Sequence, residues 1–330
     1  MVQVDMDISP LIKRVARGKH GSDHLSQAEA KDVFQALLKP DADMLQLGAF
    51  LIAQRMKGET SAELAGFVEA TRSGMKGFAQ IAAPKGAVDL PCYAGKRRSA
   101  HAYLAAAMVA RRNGIPVVVH GVEHIDDRVT AWQVLQGVGV QRASSLRDAA
   151  AILADYNIVY IDLAELSPDL FSIYNLRPRL GVRSFANTVA RLMNPMLCEG
   201  QLNGFFHTPY ADYMAGANVL LGQERSLIFM GAEGEPELYA DRQKVMVKQQ
   251  DDELSRLSFP EAGLPVYPRE PMHLELLKEK FPAMLKGEVS ERELAVISRM
   301  NEAFLWASKA EFPIDWLEEK WIEKKQLEQE

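Results

Sequence analysis

Gly114-Ile115-Pro116-Val117-Val118-Val119-His120-Gly121 is the stretch on which the fold turns. Glycine and proline end whatever helix precedes them, and the three valines form an unbroken β-branched run without polar alternation. Such a run suits a strand buried on both faces, as in parallel sheets flanked by helices. Upstream, His101 to Arg112 is alanine-rich and helical, and Ala87-Val88-Asp89-Leu90 reads as a short strand. Downstream, Asn157-Ile158-Val159-Tyr160-Ile161 and Leu227-Ile228-Phe229-Met230 supply further strands. Strands alternating with helices predict a mostly parallel central sheet covered by helices.

Residues 1–75 read differently, as a compact set of helices. Ser26-x-x-Glu29 and Thr60-x-x-Glu63 are capping-box patterns. Met44, Leu45, Leu47, Ala49, Phe50, Leu51, Ile52 and Met56 cover more than one helix face, which suggests burial on several sides, as at a subunit contact. Lys76-Gly77 through Pro84-Lys85-Gly86 reads as a hinge leading into a larger unit over 76–330. Leu170 to Met196 interrupts the alternation with helical, arginine-rich sequence. Leu317-Glu318-Glu319-Lys320 and Glu323 to Glu330 read as a solvated, mainly acidic helix or tail.

With 48% hydrophobic and 25% charged residues in a chain of 330, extensive disorder is excluded. Cys92 and Cys198 are far apart and form no metal-ligand spacing, so both read as reduced thiols. No run approaches the roughly 20 apolar residues of a membrane span, and Met1 to Asp5 is acidic without a signal-like apolar segment. A cytoplasmic protein is expected. The formal net charge of −6 argues against nucleic acid only if charge is evenly spread.

Two segments resemble a known family. Gly114 to Gly121 resembles the G-x-P-x-x-x-H-G strand of anthranilate phosphoribosyltransferases. Leu180-Gly181-Val182-Arg183-Ser184-Phe185-Ala186-Asn187, ending in Asn194-Pro195, resembles their L-G-x-R-T-x-x-N…N-P segment. The resemblance spans nearly the whole chain. It implies an α/β, anthranilate phosphoribosyltransferase-like fold of glycosyl transferase family 3. That fold has a small N-terminal helical-bundle domain, completed by inserted helices at about 165–195, beside a large α/β domain. It also implies a homodimer through the helical domain.

The family's G-T-G-G-D loop, which holds the pyrophosphate of phosphoribosyl pyrophosphate on backbone N–H groups, falls on Pro91-Cys92-Tyr93-Ala94-Gly95. Three glycines are gone and proline removes a donor. The N-x-S-T set falls on His101-Ala102-Tyr103-Leu104, the lysine of K-H-G on Val119, the following N-R on Val122-Glu123, and the paired serines on Asp126 and Asp127. Gly231-Ala232-Glu233-Gly234-Glu235-Pro236-Glu237 resembles the magnesium-binding G-x-x-G-x-D-E segment with proline at the aspartate, leaving Glu233 and Glu237 as weak oxygen ligands. Arg17-Gly18-Lys19, Arg55-Met56-Lys57-Gly58-Glu59, Gly95-Lys96-Arg97-Arg98 and the strand Val117 to Val122 resemble the YbiB-type group within the family, which implies nucleic-acid binding with little sequence preference.

Charge patterning points the same way. Between Cys92 and Val122 there is no acid, while Lys96, Arg97, Arg98, Arg111 and Arg112 are basic; between Leu170 and Cys198 there is again none, beside Arg177, Arg179, Arg183 and Arg191. In the implied fold the two segments face each other across the interdomain cleft, where a sugar-phosphate backbone would meet guanidinium groups. Lys96, Arg97, Arg98, Arg177, Arg179 and Arg183 are therefore the candidate nucleic-acid contacts, with Tyr93, Tyr103 and Tyr174 as stacking platforms.

Duller readings stand beside these. Arg111 and Arg112 complement a helix dipole. His120, Gly121 and Arg177 belong to a relic substrate site, where Arg177 falls at the position that holds the anthranilate carboxylate in active members. His120, which follows a buried strand, reads as a satisfied core histidine more readily than as a catalyst. No catalytic residue and no cofactor are expected. The alternative is an active glycosyl- or phosphoribosyltransferase with an altered acceptor, and magnesium enters only with it. A ligand sensor without turnover is the third reading.

Overall fold

The computed structural model describes residues 7–18, 21–206, 210–259, 261–309 and, for its backbone, 317–323. Lys19 lies outside the described residues.

Helices α1 (Ser9–Val15), α2 (Gln27–Leu37), α3 (Met44–Lys57) and α4 (Ser61–Gly74) form the N-terminal bundle. Both capping boxes are made: the Ser26 and Thr60 side chains accept the N–H of Glu29 and Glu63, and each glutamate reaches back to its cap. Then come β1 (Val88–Cys92), α5 (Ala102–Arg112), β2 (Val117–Gly121), α6 (Ala131–Leu135), β3 (Arg142–Ala143), α7 (Leu146–Tyr156) and β4 (Ile158–Asp162). Four short helices follow, α8 (Leu163–Leu166), α9 (Pro168–Tyr174), α10 (Arg177–Leu180) and α11 (Ala186–Leu192). The chain continues through β5 (Gly200–Phe205), α12 (Tyr210–Leu220), β6 (Arg225–Met230), β7 (Met246–Gln250), β8 (Glu253–Ser258), α13 (Leu274–Leu285), α14 (Glu291–Lys309) and β9 (Leu317–Glu323).

The strands make one nine-stranded sheet in the order β3-β4-β2-β1-β5-β6-β7-β8-β9. The first six in that order are parallel; β7, β8 and β9 add antiparallel pairs. The valine run lies near its centre, with Val117 and Val119 in the core beneath α5, α13 and α14 and Val118 in the core shared with the helical domain. That alternation is the two-residue period of a strand covered on both faces.

The inserted helices complete the bundle. Phe185, just before α11, stacks on Phe67 with centroids 4.2 Å apart and meets Phe34 and Phe50 edge-on. Arg72 of α4 donates through Nε to Met193 O at 2.8 Å, tying the end of α11 to the bundle; burial pushes its guanidinium down to about 10. α12 packs on α4 as well, so the sheet domain also covers the bundle. On α3, by contrast, Met44, Leu45, Ile52 and Met56 are exposed.

The segment Leu317 to Glu323, expected as part of a solvated helix or tail, is the backbone of β9. It pairs antiparallel with β8, Leu254 opposite Ile322 and Glu253 opposite Glu323. The open edge of β8 offers unpaired backbone groups, and their satisfaction outweighs the helix propensity of a Glu/Lys-rich segment. The rest of that expectation, residues 324–330, lies outside the described residues.

Glu59, where the bundle meets the sheet domain, is buried, and Tyr210 of α12 donates to its Oε2 at 3.3 Å. Burial above all, with the Glu63 charge adding and Lys57 opposing, lifts its carboxyl from 4.5 to about 6. A carboxyl with a raised folded pKa contributes stability that is present below its unfolded pKa and lost as pH rises through the folded one. Glu59→Gln is therefore expected to raise the unfolding free energy by about 2 kcal/mol at pH 8 and to leave it unchanged near pH 4. Urea unfolding at the two pH values checks this, and an equal effect at both would contradict it.

Candidate nucleic-acid interface

Strand β1 ends at Cys92, and the chain then turns through Tyr93 to Ala100 at the mouth of an open cleft of about 670 Å³. On the sheet side the cleft is lined by Tyr93, Arg97, Ile125 and Arg128, and opposite by Tyr174, Arg177, Arg183 and Asn187 on or beside α9, α10 and α11. His124, Asp126 and Asp127 also line it; the Asp126 side chain is 93% exposed, at the rim.

The arginines are close enough to repel one another. Burial lowers the pKa of Arg183, and the charges of Arg191, Arg177 and Arg128 push the same way. Burial does likewise at Arg128, with Glu233 opposing and Arg97 and Arg98 adding. The Nε atoms of Arg97 and Arg98 are buried without a hydrogen-bond partner. Like charges gathered around one cleft, only partly offset by Glu233 beside Arg128, create a local positive potential and favour an incoming anion, whatever the net charge of the chain.

The candidate cations do not all face this cleft. Arg97, Arg177 and Arg183 do; Arg98 and Arg179 are not among its lining residues. Two residues apart on the turn of α10, Arg177 and Arg179 point to opposite sides. Lys96 is a correction: it is fully buried, its Nζ pairs with Glu237 and donates to Ala100 O at 2.9 Å, and it sits 5.7 Å from the Tyr267 ring centre. A carboxylate below the loop draws the ammonium inward, since a buried charge needs a partner. Arg191 is also occupied, donating to Asn187 O, Gly204 O and Gly234 O. Tyr93 and Tyr103 are both buried and cannot stack a base; Tyr174, half-buried at the cleft with its ring 5.9 Å from that of Tyr93, remains. Arg128 was missed by the sequence reading, hidden beside Asp126 and Asp127.

His120 and Gly121 lie in the core, apart from Arg177. His120 Nδ1 and Tyr93 OH share a 2.7 Å hydrogen bond, and Nε2 is 3.1 Å from Asp89 Oδ1. All three residues are buried, so His120 is a core histidine; its Nδ1 is hydrogen-bonded, while its Nε2 lies near Asp89 without making a hydrogen bond. Gly121 is required because a Cβ there would stand 2.2 Å from Cys92 O.

The segment 231–237 folds its carboxylates back onto the loop after β1. Glu235 Oε1 accepts the N–H of Ala94 at 2.9 Å and that of Gly95. Glu233 accepts from Arg97 N at 3.0 Å, Arg98 N at 3.1 Å and Tyr267 OH at 3.1 Å. Glu237 pairs with Lys96 and accepts from Tyr103 N at 3.2 Å. Burial raises the pKa of both Glu235 and Glu237. These side chains do not fit a divalent cation: binding at Glu237 would have to displace the Lys96 ammonium, and Glu233 is committed to amides. No group of three potential metal ligands occurs among the described residues.

An N-terminal helical bundle joined to a large α/β domain with a mostly parallel sheet is the architecture of the anthranilate phosphoribosyltransferase fold. Residues 9–75 match the glycosyl transferase family helical bundle domain. The chain belongs to the anthranilate phosphoribosyltransferase-like family, YbiB-type proteins included. It is 33% identical to an uncharacterized protein of Aquifex aeolicus over 73% of each chain. It is 31% identical to YbiB of Escherichia coli over 72% of this chain and 74% of that one. The anthranilate phosphoribosyltransferase of Erythrobacter litoralis is 28% identical over 91% of this chain and 96% of its own. Among solved structures, the Thermus thermophilus anthranilate phosphoribosyltransferase shares the fold, with a TM-score of 0.74 at 22% identity over 91% and 89% of the two chains.

Proposed function

We propose that this protein binds single-stranded nucleic acid without reading its sequence, along the cleft between the helical and sheet domains. The observation that carries this is the cluster of Arg97, Arg128, Arg177 and Arg183 facing one open cleft while the backbone amides beside them are already bound to Glu233 and Glu235. Guanidinium groups on flexible stems grip phosphodiesters one at a time, which positions a strand and reads no base. Tyr174, half-buried at the same wall, offers a face for stacking. A single strand suits an interdomain cleft better than a duplex does. The protein acts in the cytoplasm as a homodimer, and the exposed apolar face of α3 supports pairing through the bundle. Membrane attachment has no part in this reading; among the described residues no helix is long and apolar enough to cross a membrane.

A fluorescently labelled mixed-sequence single strand is expected to bind with sub-micromolar affinity at low salt. Log affinity should fall linearly with log salt, by about 0.7 for each phosphate neutralised. Absence of binding at low salt would sink the reading.

The likeness to the Erythrobacter enzyme over nearly all of both chains favours a second reading, a phosphoribosyltransferase with an altered acceptor. Arg177 would then hold the acceptor. Calorimetric titration with phosphoribosyl pyrophosphate and magnesium separates the two, and the proposed function expects no heat of binding.

A further inference from the structure

The loop after β1 has lost its glycines but not its anion-binding backbone. Four of its N–H groups, from Ala94, Gly95, Arg97 and Arg98, converge on carboxylate oxygens, two on Glu235 and two on Glu233. Gly95 is left-handed at φ 64°, and Lys96 N is turned away onto Val129 O at 2.8 Å. Successive amides pointing into one concavity form the kind of nest that binds phosphate. Here both halves of the nest are filled by the protein's own acids.

We infer that Glu233 and Glu235 are resident anions in a phosphate cradle, and that Glu233 is the specificity-determining residue that denies this cleft to free pyrophosphate. Glu235 is fully buried and forms the floor; Glu233, 6% exposed, stands above it, 3.9 Å from Arg128. The segment carrying them is held rigidly. Glu233 itself is left-handed, at φ 59° and ψ 9°, a conformation that a side-chain-bearing residue keeps only when its surroundings enforce it. A Cβ on Gly231 would lie 1.8 Å from Glu235 O, so that glycine is what allows the segment to close on itself.

A pyrophosphate seeking the same amides would meet two carboxylates and no free donors. A polymeric phosphodiester carries one charge per unit and needs only the guanidinium groups farther out. The cleft therefore selects chains of spaced charge over compact polyanions. This selectivity rests on the nucleic-acid reading, whereas the filled cradle does not depend on it.

Glu233→Ala frees the amides of Arg97 and Arg98 and leaves the Lys96–Glu237 pair untouched. Isothermal titration of the wild-type chain with inorganic pyrophosphate at low salt is expected to show no saturable heat. The Glu233→Ala chain is expected to bind pyrophosphate at least tenfold more tightly than wild type. Near-ultraviolet circular dichroism confirms that the variant is folded. If alanine unfolds the loop, Glu233→Gln, which keeps an acceptor and removes the charge, is expected to show a smaller gain in the same direction. Tight pyrophosphate binding by the wild type, or no gain in a folded variant, overturns the inference. Oligonucleotide titrations of both proteins keep the two ideas apart. A wild type that ignores oligonucleotides, beside a variant that gains pyrophosphate, rejects the proposed function and supports the filled cradle.

Discussion

Lys96→Ala is expected to lower the unfolding free energy by about 3 to 5 kcal/mol, the cost of leaving one member of a buried ion pair without its partner. Lys96 and Glu237 are both buried, and Glu237 keeps the N–H of Tyr103 as its remaining donor. Truncation removes the ammonium, opens a void against Ala100 and Tyr267, and strands a carboxylate. Against a total stability of about 5 to 15 kcal/mol, such a loss takes much of the margin. Removing both charges should cost far less: Lys96→Met with Glu237→Gln keeps an acceptor for Tyr103 N and leaves no isolated charge, and is expected to recover most of the difference. Urea unfolding of wild type, single and double variants measures this as a coupling energy. A single variant within 1 kcal/mol of wild type would mean that the ammonium is not held as described. Charge reversal at Lys96 is thus a test of folding, and a binding test must use the arginines of the cleft.

What the sequence made legible was local, or repeated along the chain. The valine run after Gly114 and Pro116 marked a central strand because burial on both faces leaves no polar alternation to blur it. The capping boxes at Ser26 and Thr60 were readable because their partners stand three residues away. The family motifs carried the rest of the fold, including the bundle whose core Phe185 enters from the far side of the first four sheet strands in chain order.

Partners distant in sequence defeated the same reading. Lys96 looked like the first of three surface cations, and its burial is decided by Glu237, 141 residues later. Arg128 passed unnoticed because Asp126 and Asp127 precede it, although their side chains extend toward solvent while Arg128 turns to Gly95 O at 2.8 Å. Leu317 to Glu323 has the composition of a solvated helix, and the edge of β8 makes it a strand.

Reversing both Arg177 and Arg183 to glutamate is expected to weaken single-stranded oligonucleotide binding by about 100-fold at low salt, as two phosphate contacts become two repulsions. The slope of log affinity against log salt should shrink by about 1.4, at roughly 0.7 for each lost contact. Stability separates this loss from misfolding. Arg177 is exposed, and Arg183 is half-buried among Arg191, Arg177 and Arg128, where a carboxylate would relieve repulsion. The double variant should therefore unfold at the same urea concentration as wild type or a higher one, while its affinity collapses. Arg179→Glu provides the geometric control: it changes the net charge by two on the same short helix, but from outside the cleft. It is expected to weaken binding no more than about threefold. If it matched the effect per charge of the double variant, binding would be a diffuse response to net charge and the cleft would have no special standing. If it does not, four arginines around one cleft are sufficient to give an acidic protein a localised grip on nucleic acid.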